Sequence, residues 1–221
     1  MKARIKFSKH GILKYIGHLD IMRYFQRIMR MANIPIKYSE GFSPHQIMSF
    51  ASPLGIGLES DAEYLDIELV DGCKFDAAAF AKAMNDVCCD GISILEMVKL
   101  ADNAKNSMSL VSAADYELVW DKHPLNEGEL SEKIKRIMSA PSVVIDKLVK
   151  KSGEMKKVDI RPLIYELELR EDCIHMCISQ GSENNLRPEY VAKLLGVTDY
   201  HILRTELYGD NHRSLIIIGR E

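Results

Sequence analysis

HLDIMRYFQRIMRMAN, residues 18–33, is the stretch on which the reading of the fold turns. At 100° per residue, Ile21, Met22, Phe25, Ile28, Met29 and Ala32 share one arc, so the segment is a helix with a single apolar side. Arg23, Arg27 and Arg30 fall on the opposite arc and make a cationic stripe. Asp20 stands in the first turn, where the helix dipole favours a carboxylate. Asn33 can close the helix, and Pro35 forbids its continuation.

Upstream, residues 2–7 alternate polar and apolar side chains, the pattern of a strand with one buried face. Lys9-His-Gly11 is a turn, and residues 12–16 are a second short apolar piece. Downstream, residues 35–53 contain Gly41 and Pro44 and read as a strand or hairpin with a bend. Residues 62–70 alternate as a strand, Asp71-Gly72 turns, residues 75–87 keep helical spacing, and residues 91–100 return to period two. The order β-α-β-β-α-β predicts a ferredoxin-like layer over residues 1–100. The polar stretch 101–109 reads as a linker. Beyond it the order recurs: strands at 115–120, 142–149, 163–170, 173–180 and 200–208, with helices at 127–139 and 187–195. The expectation is an α+β chain of two tandem ferredoxin-like units, 1–100 and 110–221, with antiparallel sheets and helices on one face.

The chain has 221 residues, 47% of them apolar and 28% charged, which suits packed cores. No apolar run reaches the roughly 20 residues that span a bilayer. The N-terminus lacks the apolar core of a secretory signal. Five cysteines in no framework spacing read as reduced thiols, so a cytoplasmic location and no membrane partner are expected. Charge is unevenly shared. Residues 1–50 hold nine Lys/Arg against two acids, a net +7, whereas the other 171 residues hold 20 basic against 30 acidic ones, a net −10. Such asymmetry points to an anionic partner near the N-terminus, unless the folded surface mixes the two signs in space.

The Arg23, Arg27 and Arg30 guanidinium groups suit two-point contacts to phosphate. Lys37 and Tyr38 follow, offering a further phosphate contact and a ring for base stacking. His18 and Asp20 admit an acid–base reading, with Asp20 orienting His18, and a structural one in which both serve the helix start. In Gly41-Phe-Ser-Pro-His45 the bent loop can present Ser43 and His45 to a ligand, or form a rigid corner anchored by Phe42. Asp159 and Arg161 read first as an ion pair that fixes a hairpin, and second as a ligand contact. Lys147, Lys150, Lys151, Lys156 and Lys157 make a second basic patch. Cys173-Ile-His-Met-Cys177 puts two thiols and an imidazole on one strand face, a set that packs more readily than it converges on a metal. No metal, no cofactor and no nucleotide-binding loop are expected.

Gly17-His-Leu-Asp-Ile-Met-Arg23, Pro35-Ile-Lys-Tyr-Ser39, Gly41-Phe-Ser-Pro-His45 and Ser49-Phe-Ala51 together resemble the radical SAM-linked protein family, a bacterial domain of unknown function encoded fused to or beside radical SAM proteins. Pro53-Leu-Gly-Ile-Gly57, Glu59-Ser60 and Glu63-Tyr-Leu-Asp66 continue the likeness, as do Lys157-Val-Asp-Ile-Arg-Pro162 and Leu186-Arg-Pro188. Three positions depart from the family pattern. Gly17 replaces a capping Ser, Met31 replaces an Arg, and Gln46-Ile47 replace a Pro and a basic residue. The chain has no C-x3-C-x2-C triad for an iron–sulfur cluster of its own. The resemblance implies a non-catalytic accessory module for a separate radical SAM protein, binding RNA or docking a substrate in RNA- or ribosome-related modification. Two alternatives stand beside it. One is a metal-independent endoribonuclease resembling CRISPR repeat-processing enzymes, with His18 as base; only Gly209 and Gly219 supply glycine near the C-terminus, where those enzymes carry a glycine-rich loop. The other is a protein-interaction scaffold.

Overall fold

The computed structural model describes residues 1–120, 126–148, 154–182 and 184–221. The first half contains β1 (Lys2–Lys9), a 3-10 turn (Gly11–Tyr15), α1 (His18–Met31), β2 (Met48–Phe50), β3 (Glu59–Glu68), α2 (Ala77–Asn85) and β4 (Ile92–Leu100). A single helical turn, α3 (Ser107–Leu110), joins it to the second half. There follow β5 (Ala113–Trp120), α4 (Glu127–Ser139), the hairpin β6 (Val144–Leu148) and β7 (Met155–Asp159), β8 (Ile164–Leu169), β9 (Cys173–Ser179), α5 (Pro188–Leu195), β10 (Tyr200–Gly209) and β11 (Arg213–Ser214). This is a mixed α+β fold with a large, mostly antiparallel sheet and few helices.

Local chemistry explains the helix ends. Asp76 and Asn126 cap α2 and α4 by accepting from the N–H groups of Ala79 and Glu129. Pro188 opens α5, and Gly196 ends it in the left-handed conformation at φ 71°. Gly17, before α1, gives no side-chain cap.

Among the described residues nine strands form one sheet in the order β4-β1-β3-β10-β5-β9-β8, with β2 on β3 and β11 on β10, and β6 and β7 pair only with each other. Separate sheets were expected for the two halves; the halves share one sheet instead. The reason lies in β2. It has three residues and covers only Leu65–Ile67 of β3, leaving the start of that strand as an open edge. An open edge offers unpaired N–H and C=O groups, and β10 takes them in parallel at Leu203↔Glu59 and Arg204↔Ser60. The other ladders between neighbours in the sheet are antiparallel.

Two apolar cores lie against the sheet. Ile21, Phe25, Ile28 and Met29 of α1 pack with Ile5, Phe7, Leu65, Ile67 and Met84. Leu130, Ile134 and Ile137 of α4 and Val191, Ala192 and Leu195 of α5 pack with Leu118, Ile174, Met176 and Ile202. Phe7, Phe25 and Phe50 meet at tilted to edge-on angles, with centroids 4.5 to 6.2 Å apart.

The stretch 101–109, read as a linker, is docked. Ser107 donates its N–H to Asp66 at 2.7 Å, and Arg4 reaches the Lys105 carbonyl at 3.4 Å. The short apolar piece at 12–16 falls largely in the 3-10 turn Gly11–Tyr15, which leaves Ile12 and Tyr15 exposed. After β10 the chain turns back, burying Leu215 and Ile216. Among the described residues no helix is long and apolar enough to cross a membrane.

Candidate functional site

The apolar arc of α1 is locked in the first core, so its other arc faces outward. Arg23, Arg27 and Arg30 are all exposed. Asp20 approaches Arg23 at 3.7 Å, but both side chains stay more than 60% exposed, and such an i,i+3 pair adds little. Arg27 and Arg30 make no ion pair among the described residues. The cationic stripe is therefore available to a ligand.

A hairpin stands beside it. Ile36 bridges Leu69, and Tyr38 bridges Gln46. Ile47 donates to the Lys37 carbonyl at 2.9 Å, and Ser39 to that of His45 at 2.8 Å. Gln46 is buried at the root, and its Nε2 donates to the Gln26 carbonyl of α1 and to the Tyr38 hydroxyl, both at 3.2 Å. Gln26 adjoins Arg27 and lies within about a turn of Arg23 and Arg30, so the hairpin is rooted at the edge of the stripe. The Gln46 Oε1 is buried without a partner.

At the tip, Gly41 takes φ 107°, a conformation that strains other residues, and Phe42, Ser43 and His45 are exposed. The reading of Phe42 as an anchoring side chain is corrected here: its ring is fully exposed, because the tip projects beyond any core. His45 shares a 2.8 Å hydrogen bond between its Nδ1 and the Ser39 hydroxyl, which closes the neck of the loop. Ser39 drew no attention in the sequence. Tyr38 is 45% exposed, and Lys37 lies 3.7 Å from Asp71.

Asp20 and His18 are both exposed, and no hydrogen bond joins them among the described residues. The His18 ring stands edge-on to Phe50, centroids 5.2 Å apart. It borders a narrow cleft with Lys9 and Glu63. Behind that cleft lies a charge network that the sequence reading missed. Arg204 pairs with Glu63, both buried, and donates to the Ser52 carbonyl at 3.1 Å. Burial lowers the Lys9 ammonium below its ordinary value; Glu63 opposes that shift and Arg204 adds to it. The sequence held no local signal for it, since β3 and β10 carry other charged residues besides Glu63 and Arg204 and the two strands lie far apart in the chain.

The cationic opening segment is largely answered by the rest of the chain. Arg4 pairs with Asp66 at 2.7 Å, Lys6 with Glu206 at 2.9 Å and Lys14 with Glu59 at 3.4 Å. The unmatched remainder is concentrated on α1.

Asp159 and Arg161 both turn to backbone partners. The Asp159 carboxylate accepts from the N–H groups of Val143 and Arg161. The Arg161 guanidinium donates to the carbonyls of Met138, at the end of α4, and Ile164. The expected ion pair between the two side chains is replaced by these contacts, since the Met138 and Ile164 carbonyls take the guanidinium's donors. In the second basic patch Lys147 donates to the Asn185 carbonyl at 3.4 Å, and Lys156 is exposed. Lys150 and Lys151 lie outside the described residues. Cys173, His175 and Cys177 are buried along β9. A groove elsewhere, between β2–β3 and residues 104–106, is lined by Met48, Ile67 and Leu100; Lys2, Asp66 and Lys105 also line it.

Comparison with known proteins gives a class before anything finer. The family described as "Uncharacterized protein conserved in bacteria (DUF2344)" matches residues 2–188. The chain belongs to that family. No curated protein matches it. Among solved structures, one chain of the "Crystal Structure of a Cbf5-Nop10-Gar1 Complex" is similar at 10% identity and a TM-score of 0.45, over 95% of this chain and 50% of that one. The chain thus spans half the length of that neighbour, and a likeness of this degree has no bearing on function.

Proposed function

We propose that this protein binds single-stranded RNA through α1 and the 38–46 hairpin, as a non-catalytic module serving a separate radical SAM protein. One observation carries the RNA reading: exposed guanidinium groups on α1 stand beside a hairpin, rooted at Gln26, that holds Phe42 fully in solvent. Arginines track a phosphate backbone, and exposed rings stack on bases of any identity. Tyr38, half exposed at the same root, adds a second ring, and His45 a further polar contact.

The radical SAM partner comes from the resemblance of the 17–66 motifs. Exposed Ile12 and Tyr15, next to the loop of exposed Ile56 through the Gly57 N–H to Lys14 carbonyl bond, offer such a protein an apolar footing. The five free cysteines suit a cytoplasmic protein. For the fold, the reading is two ferredoxin-like units, 1–100 and 110–221, joined along the β3–β10 seam. The order β4-β1-β3 with β2 on β3, repeated as β10-β5-β9-β8, supports it.

Filter binding of single-stranded RNA across a salt series tests the RNA reading. Replacing Arg23, Arg27 and Arg30 together by Gln should lower the slope of log affinity against log salt by about 2, at roughly 0.7 for each phosphate that is no longer neutralised. Binding without salt dependence, or a slope unchanged in the variant, overturns it. Co-purification with a radical SAM protein from nuclease-treated lysate tests the partner.

A further inference from the structure

Asp115 of β5, Cys177 of β9 and His212 beyond β10 each offer a donor atom, and these atoms lie within 4.8 Å of one another. The β5–β9 ladder sets Asp115 directly opposite Cys177. The turn after β10 swings His212 over them, and Cys177 Sγ lies 3.6 Å from His212 Nε2. A sulfur and a nitrogen bound to one tetrahedral zinc, at about 2.3 and 2.0 Å, stand about 3.6 Å apart. The two donors already have that spacing.

Three further features point the same way. The Asp115 Oδ1 is buried with no hydrogen-bond partner, while its Oδ2 accepts from the Tyr208 hydroxyl at 2.7 Å. One carboxylate oxygen is thus fixed from behind and the other left for a ligand. The His212 ring is stacked on Tyr208, centroids 4.1 Å apart and planes 16° from parallel. Asn211 and His212 also take φ of 58° and 56°, a left-handed turn that non-glycine residues adopt at a cost. Strain of this kind fixes where the imidazole points.

We propose that Asp115, Cys177 and His212 form a mononuclear zinc site with three protein ligands and a fourth position left to water. Thiolate with imidazole selects a borderline-soft metal over magnesium or calcium. Tyr208 supports two ligands at once, holding the Asp115 carboxylate and stacking under His212. Three ligands and an open position is the arrangement in which zinc polarises water or a bound substrate. The site owes nothing to the RNA reading, which rests on residues of the first half. The Cys173–Cys177 run suggested neighbours along one strand; the donors that meet Cys177 come from the facing strand and a later turn.

Cobalt(II) added to the chelator-treated full-length protein is the probe. One equivalent should produce a thiolate-to-cobalt charge-transfer band together with the intense visible bands of four-coordinate cobalt, and zinc should bleach both. Cys177→Ser should abolish the charge-transfer band. His212→Gly suits the left-handed turn and leaves the core intact, so it keeps the test decisive if the Cys177 variant misfolds. It should weaken metal binding more than about tenfold, since even outer contacts to a metal ligand are worth that much. No charge-transfer band in the wild-type protein, or unchanged cobalt affinity in His212→Gly, overturns the proposal.

Discussion

Arg204 of β10 buries its guanidinium against the Glu63 carboxylate of β3, and the pair spans the seam at which the two halves share a sheet. Arg204 also holds the Ser52 carbonyl, so the same side chain ties the segment after β2 to the seam. Burial works against its charge, but Glu63 and then Tyr116 outweigh that and keep it protonated. Breaking a buried pair leaves an uncompensated charge, so Glu63→Gln should destabilise the fold by roughly 3–5 kcal/mol. Arg204→Met should do the same, and the double variant should lose much less than the two losses combined. Urea denaturation of the four proteins measures this; additive losses would show that the two groups are not coupled.

Phe42 has its ring wholly in solvent, so its removal isolates binding from folding. Phe42→Ala should leave the stability within about 0.5 kcal/mol of wild type. A missing base stack should weaken single-stranded RNA binding by about 1–3 kcal/mol. Fluorescence anisotropy with a labelled oligonucleotide checks it, and an unchanged affinity would remove Phe42 from the interface.

The α1 stripe was legible because helical periodicity fixes which residues oppose the core, and Ile21, Phe25 and Ile28 left Arg23, Arg27 and Arg30 only one direction. The helix read at 127–139 has those bounds in α4, and the Asn126 cap at its start was not singled out in the sequence. The β3–β10 seam was not. It depends on β2 being too short to cover its neighbour, and local alternation says nothing about strands that lie far apart in the chain. The neutralisation of Arg4, Lys6 and Lys14 was hidden likewise, since their acids come from Glu59, Asp66 and Glu206. The Asp115–Cys177–His212 cluster joins three elements across the second half, and only the register of β5 on β9 brings two of them level.

Arg161 closes the C-terminal end of α4 by donating to the Met138 carbonyl from both Nε and Nη2, and it reaches the Ile164 carbonyl through Nη1. The last carbonyls of a helix need such donors. Arg161→Leu keeps part of the apolar stem and deletes the donors, so it should cost roughly 1.5–3 kcal/mol in urea denaturation. RNA affinity should not change. A variant that folds as stably as wild type but binds RNA more weakly would assign Arg161 to the ligand instead.

Asp159 gives a pH signature of its own. Backbone N–H groups of Val143 and then Arg161 hold its carboxyl below the ordinary 3.8. The folded protein therefore binds this proton less readily than the unfolded chain, so stability rises with pH between the folded value and 3.8. The contribution is complete above 3.8 and fades as pH falls through the folded value. Asp159→Ala should be less stable than wild type at neutral pH, and the gap should narrow as acid protonates the wild-type carboxylate. Denaturant midpoints of both proteins, followed from neutrality into acid, decide the matter. A gap of constant size would mean that the carboxylate supports the hairpin by shape alone, without its charge.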